Sequence, residues 1–249
     1  MTEDVALPAA GASDTTTGSS SRRRSVLLFL RDVALIILAA LLISFLVKTF
    51  LIRSFFIPSG SMNDTLIEDD RIIVNQLVPE LVPLERGDVV VFRDPGAWLP
   101  PQPEAPQPPL VAAGEWLGAV VGLSAPDSDE HLVKRLIGLP GDSIVCCNDL
   151  GQMSVNGFPL EEPYLRLPQP GSPASGQDFE IEVPDGSLWV MGDNRYDSAD
   201  SRVNGPVPIS DVVGRAVVIS WPLARWTWLD NYPIVFDGVG EDRAAIDAR

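Results

Sequence analysis

The chain has 249 residues and a mass of 26.9 kDa, is 45 % hydrophobic and 21 % charged, and sets 18 Lys+Arg against 34 Asp+Glu. That apolar fraction excludes wholesale disorder, and a net charge of −16 argues against a dedicated nucleic-acid binder. One histidine and two cysteines speak against a His/Cys zinc site, and any Ser-His-Asp machine would have to use His131.

Residues 1–24 read as a disordered cytoplasmic tail: Ala, Gly, Ser and Thr without periodicity, closed by Arg22, Arg23 and Arg24. An unbroken apolar run, Val33–Val47, follows, and with Thr49–Ile52 and a snorkelling Lys48 it reaches the roughly 20 residues that a spanning helix needs. Residues 25–53 are therefore expected to be an uncleaved transmembrane anchor. The alternatives are a cleaved secretory signal or a buried helix, and no A-x-A site follows the run. Arg22–Arg24 and Arg31 outnumber Lys48 and Arg53, which keeps the N-terminus cytoplasmic and places the rest of the chain outside the plasma membrane. Those 196 residues hold 12 basic and 30 acidic side chains, enough length for one domain with a sizeable core.

This domain, 54–236, reads as β throughout. Strands are expected at Arg71–Val78, Asp88–Arg93, His131–Ile137, Ser143–Cys147, Phe179–Val183, Ser187–Met191 and Val212–Trp221, with Met153–Asn156 entering a hairpin at Asn156-Gly157. Residues 95–109 hold seven prolines and suit neither helix nor central strand, so 94–130 reads as an insertion loop with a short apolar cap at Glu115–Leu123. Residues 237–249 form a loose acidic tail. The expected fold class is mainly β, an antiparallel sheet domain with one N-terminal transmembrane helix.

Three segments carry candidate chemistry. Phe55-Phe56-Ile57-Pro58-Ser59-Gly60-Ser61-Met62 is either a polar linker leaving the membrane or an apolar cleft in which the glycine lets the chain expose Ser61 and aim its amide at a carbonyl. In His131–Gly138, Lys134 shares a strand face with Leu132 and Leu136. It is either a lysine snorkelling from an edge strand or a desolvated amine whose lowered pKa lets it deprotonate a serine. Arginine, always protonated, could not do this, and Lys134 is the only lysine beyond residue 53. Gly192–Arg202 is either a hydrophilic turn or a calcium-like loop, though it lacks the EF-hand spacing.

Taken together, PSGSM, RGDVVVF at Arg86–Phe92, VKRLIGLPGD at Val133–Asp142, GDNRYDSADSR at Gly192–Arg202 and VGRA at Val213–Ala216 resemble the type I signal peptidases in content and order. These are membrane-anchored bacterial serine proteases with a Ser/Lys dyad. The resemblance implies Ser61 as nucleophile and Lys134 as general base. It implies an oxyanion hole from the Ser59 hydroxyl and the Ser61 amide. Ser198 would orient the lysine, with Asp200 and Arg202 as a structural pair. Phe55, Ile57, Leu66, Leu132 and Val133 would line small apolar subsites that accept A-x-A sites. It implies no cofactor and no metal, with signal peptides of secreted preproteins and membrane lipid as partners; the oligomeric state stays open.

The sequence departs from the family at Asn63-Asp64, where a proline is commoner before Thr-Leu, and at Leu132, where an aromatic residue is common. Asp64 is expected to face solvent. Cys146 and Cys147 are expected to stay reduced or separately buried, since strand neighbours point to opposite faces; intermolecular pairing is the alternative. His131 is expected at a strand-end surface. Two other functions remain: a catalytically degenerate anchored module that binds signal peptides or assembly partners, against which the intact Ser59, Ser61, Lys134 and Ser198 speak, and a self-cleaving repressor, which would need a DNA-binding helix-turn-helix where this chain has an apolar span.

Overall fold

The computed structural model describes residues 18–96, 98–99 and 130–240, with side chains for all of these except 18–25 and 46–50. The chain divides into two units at Leu46. The first holds most of helix α1 (Gly18–Phe50), in which Val26–Phe45 has a mean hydropathy of 2.7, is long and apolar enough to cross a membrane, and has no buried residue. The helix begins at Gly18, inside the segment read as a disordered tail. Serine and arginine do not break a helix, and no proline lies between Pro8 and Pro58. It ends at Phe50 rather than 53, because Ile52 and Arg53 are captured into a β-ladder opposite Asn75 and Val74.

The second unit is built from twelve strands among the described residues: β1 (Ile52–Phe56), β2 (Arg71–Asn75), β3 (Val89–Arg93), β4 (His131–Gly138), β5 (Ser143–Cys146), β6 (Ser154–Val155), β7 (Phe158–Pro159), β8 (Phe179–Glu182), β9 (Ser187–Met191), β10 (Val207–Pro208), β11 (Val212–Trp221) and β12 (Thr227–Trp228). All pairings are antiparallel. The larger sheet runs β1-β2-β11-β3-β4-β9-β10 with β12 beside β11, and a smaller one runs β7-β6-β5-β8. The expected strands are present within a few residues, and Asn156-Gly157 makes the hairpin turn with φ of +51° and +81°, the backbone that favours this dipeptide. Strands β1, β10 and β12 were not expected; the last two are two residues long and leave almost no periodic signal.

Strand β3 sits between β11 and β4 and is buried on both faces, which explains the continuous Val89–Phe92 run. Val89 and Val91 join a cluster with Phe55, Ile57, Met62, Leu66, Ile72 and Val74, while Val90 and Phe92 join Leu136, Leu188, Val190 and Val207 on the other side. A third cluster, around Ile144, Met153, Val155, Trp189 and Phe236, lies against the smaller sheet. It includes Val239, which is fully buried, so the packed domain reaches past the expected boundary at 236. Residues 1–17, the proline-rich stretch 100–129 with its expected cap, and 241–249 lie outside the described residues.

Cys146 and Cys147 form a disulfide with each other, against the expectation of separate thiols. That expectation assumed a strand continuing through both residues, whereas β5 ends at Cys146. His131 is half-buried rather than a surface residue, its ring 5.1 Å from that of Phe55. Leu66, expected at a subsite wall, is fully buried in the cluster of Phe55 and Met62. Its truncation to alanine is therefore expected to cost stability by about 2–5 kcal/mol, the range for a large-to-small core change, read as a lowered denaturation midpoint at unchanged m-value.

Candidate active site

Beyond β1 the chain makes a 3₁₀ turn at Gly60–Met62 whose depth is set by two buried side chains, Ile57 and Met62. The Met62 carbonyl accepts the amides of Thr65 and Leu66 at 3.1 and 2.8 Å, and the Gly60 carbonyl accepts that of Asn63 at 3.0 Å. Asn194 holds the same turn from outside: its Nδ2 donates to the Gly60 carbonyl at 3.0 Å, and its backbone amide to the Ser61 carbonyl at 3.1 Å. Ser61, in the middle of the turn, is left partly exposed. Asp64 has a φ of +81°, which a proline ring cannot adopt. Its carboxylate is exposed, as expected, and meets Arg166 at 2.7 Å.

The Lys134 Nζ lies 2.7 Å from Ser61 Oγ and 3.2 Å from the Val133 carbonyl, with the residue only 3 % exposed. Burial disfavours its ammonium form, and the carboxylates of Asp200 and Asp193 pull part of the shift back, leaving the pKa at about 8. Leu132 and Leu136, on the same face of β4, supply part of the apolar surroundings.

Asp200 and Arg202 form a bidentate pair, with Nε to Oδ1 and Nη2 to Oδ2 both at 2.8 Å. Asp200 also accepts the Gly192 amide at 2.9 Å, while Arg202 donates to the Arg195 carbonyl at 2.7 Å, so the pair closes the 192–202 loop. Although burial opposes its charge, the Arg202 guanidinium holds the Asp200 carboxyl below its ordinary range. Ser198 Oγ is buried but makes no hydrogen bond to Lys134, whose amine already bonds Ser61 Oγ and the Val133 carbonyl. The serine still borders the site: a Cβ on Gly192 would stand 2.3 Å from Ser198 Oγ and 2.4 Å from the Ser61 carbonyl, so only glycine lets the two segments approach.

A cavity of about 140 Å³ opens beside Ser61 and Lys134. Of the expected wall residues, Ile57, Leu132 and Val133 line it, whereas Phe55 and Leu66 lie in the core cluster and do not. Ser59 also lines it, with its Oγ 3.4 Å from Ser61 Oγ. Pro58, Met62, Leu99 and His131 complete the lining. A larger cavity of about 800 Å³, lined by Leu150, Phe158, Leu160 and Ile234 among others, contains none of the expected site residues. Sequence reasoning missed Arg135, Asp193, Asn194 and Leu99. The first three stand inside the motifs quoted above, so their presence was visible and their contacts were not. Leu99 gave no signal, because nothing in the sequence brings residue 99 near residue 61.

The family model for signal peptidase, peptidase S26, matches residues 30–221. Signal peptidase I of Mycobacterium tuberculosis is 36 % identical over 222 residues, covering 79 % of this chain and 74 % of its own. Signal peptidase I U of Bacillus subtilis is 32 % identical over 199 residues, covering 78 % and 87 %. A solved signal peptidase I from Enterococcus faecalis aligns with 53 % of this chain and 95 % of its own at 27 % identity, with a TM-score of 0.35. The family match runs from within the apolar helix to the end of β11 and takes in every segment that builds the Ser61–Lys134 site, and the chain belongs to the signal peptidase, peptidase S26, family.

Proposed function

We propose that this chain is a membrane-bound serine endopeptidase that removes signal peptides from exported preproteins, using Ser61 as nucleophile and Lys134 as general base. The observation that carries the reading is a buried amine with a pKa near 8 held 2.7 Å from a serine hydroxyl in the wall of a small apolar cavity. The neutral amine takes the Ser61 proton as Oγ attacks the scissile carbonyl, and the oxyanion is met by the Ser61 amide and the Ser59 hydroxyl. The ammonium then protonates the leaving amine, and a water activated by the same amine releases the acyl group from Ser61. A cavity of about 140 Å³ admits a methyl side chain comfortably and supports cleavage after small residues of the A-x-A type. Helix α1, with its N-terminal arginines, supports single-pass anchoring with the N-terminus cytoplasmic and the catalytic unit at the outer face of the plasma membrane. That location puts the site where inserted signal peptides emerge. Asp200 and Arg202 act in this reading as supports of the 192–202 loop, which carries Ser198 to the edge of the site.

Cleavage of a preprotein by the detergent-solubilised chain tests the reading. Ser61→Ala and Lys134→Ala should each fall to near background, and the double variant should be no worse than either, because the two groups act as one unit. Near-wild-type cleavage by either single variant contradicts the assignment.

The pH profile tests the base. Protonation of Lys134 abolishes its basicity, so kcat/KM should rise with pH through an apparent pKa of about 8. Because the carboxylates acting on Lys134 are Asp200 and Asp193, Asp64→Asn should move that limb by less than about half a unit. A full-unit displacement would show Asp64 acting on the amine.

Stability should rise with pH alongside activity. With a folded pKa near 8 against an ordinary 10.5, the unfolded chain binds more protons between those values, so Lys134 weakens the fold fully below pH 8 and progressively less as pH climbs towards 10.5. Lys134→Met should thus be inactive yet melt about 2–6 °C higher at pH 7, with the gain shrinking above pH 8. An unchanged or lower melting temperature at pH 7 would count against the buried-amine account.

A further inference from the structure

The residues that open the 94–130 insertion are tied down next to the cavity rather than led away from it. Asp94 Oδ1 accepts the amides of Gly96 and Trp98, and Oδ2 that of Leu99, all at 3.0 Å. The Asp94 amide donates to the Glu130 carbonyl at 3.1 Å, so the two ends of the insertion meet at its base. The Trp98 ring packs edge-on to Phe92 of β3 at 5.4 Å, which fixes the chain against the apolar cluster beneath Leu132. With residue 94 fixed by hydrogen bonds and residue 98 by packing, Leu99 enters the wall of the cavity that Ser61 and Lys134 also line.

We propose that Leu99 is a specificity-determining residue: it closes part of the pocket beside the nucleophile and so excludes substrate side chains larger than alanine there, with Asp94 as the residue that positions it. The inference rests on the peptidase reading above and extends it to a segment for which the family resemblance assigns no role. The pocket is about 140 Å³, so removing three carbons of one wall residue enlarges it by a substantial share. Discrimination against one or two extra methyl groups in an apolar pocket amounts to roughly 10–200-fold, and a truncated wall should forfeit much of it. Asp94→Asn acts indirectly: an amide oxygen can still receive Gly96 and Trp98, but the Nδ2 that replaces Oδ2 cannot accept the Leu99 amide.

The test uses the full-length chain in detergent and a peptide series carrying A-x-A or its variants with valine at either small position. Wild type should cleave the alanine peptide and Ser61→Ala should not; failure of that pair overturns the peptidase reading and this inference with it. Given cleavage, the alanine-to-valine ratio of kcat/KM at one of the two positions should fall about tenfold in Leu99→Ala and several-fold in Asp94→Asn. It should stay within about twofold in Leu99→Met, and the pH limb should not move in any of the three. A purely structural role for Leu99 would lower the melting temperature and leave the ratio alone. A ratio unchanged within twofold in both Leu99→Ala and Asp94→Asn, with wild type active, overturns the inference while leaving the Ser61–Lys134 assignment untouched.

Discussion

The buried ion pair of Arg135 and Asp193 is the joint on which the site depends. Nε meets Oδ1 at 2.9 Å and Nη2 meets Oδ2 at 2.7 Å, with both side chains wholly out of solvent. Around it converge a hydroxyl from the loop that follows Ser61, Thr65, which donates to the same carboxylate at 2.5 Å, and the carbonyls of Gly87 and Asp230, which accept from Nη1. The Arg135 guanidinium also lies over the Tyr164 ring, 4.0 Å from its centroid. An ion pair in such a place adds little net stability over apolar residues, but it tolerates no missing partner. It therefore fixes register: β4, the turn after β1, and the loop after β9 can assemble in one arrangement that satisfies every donor. Arg135 is the neighbour of Lys134, and adjacent strand residues point to opposite faces. Locking Arg135 on one side sets where the lysine amine emerges on the other.

Under the proposed function, that placement lets a lysine serve where many hydrolases use histidine. Nothing but burial lets the amine lose its proton near pH 8, since both nearby carboxylates, Asp200 and Asp193, favour its charged form. Each of those carboxylates is already engaged by an arginine, Asp200 by Arg202 and Asp193 by Arg135, which blunts their pull on the lysine. The arginines thus act on the amine through the carboxylates they hold. A free carboxylate in either position would stabilise the ammonium and hold the pKa up. The fold accepts the standing cost of a buried amine, which under the proposed function is the usual trade between stability and function.

Much of this was legible in the sequence. Val89–Phe92, Ser187–Met191 and Val212–Trp221 are apolar runs bounded by turn residues, and they form the strands read from them. Lys134 between Leu132 and Leu136 showed its apolar face directly, because strand periodicity is a local property. What stayed hidden was whatever depends on contacts across the chain. Phe55 and Leu66 look like cleft walls by position, yet the β1–β2 ladder turns Phe55 into the core and the turn closed by the Met62 carbonyl carries Leu66 there, while His131 and Leu99, with no comparable signal, line the cavity. Ile52 and Arg53 read as the end of an apolar helix because strand β1 is recognisable only once its partner β2 is known. The cysteine pair was misjudged for a local reason, the assumption that β5 continues one residue further than it does.

The loop carrying Ser61 shows how one departure from the family pattern is absorbed. A proline at position 64 would restrict the chain by fixing φ near −65°, but here the backbone sits at +81°, on the far side of the allowed map. An aspartate accepts this conformation better than most residues do, so the substitution and the backbone are consistent with each other. The ion pair with Arg166 cannot supply the missing stiffness, since both side chains are more than half exposed and such pairs are worth about 0–1 kcal/mol. The stiffness comes from either side of position 64 instead. Met62 and Leu66 are buried, the Met62 carbonyl takes two amides, and the Thr65 hydroxyl is tied to Asp193. With both flanks fixed, a single residue between them has little freedom left to lose. Ser61 is held by its neighbours' burial rather than by the ring of a proline.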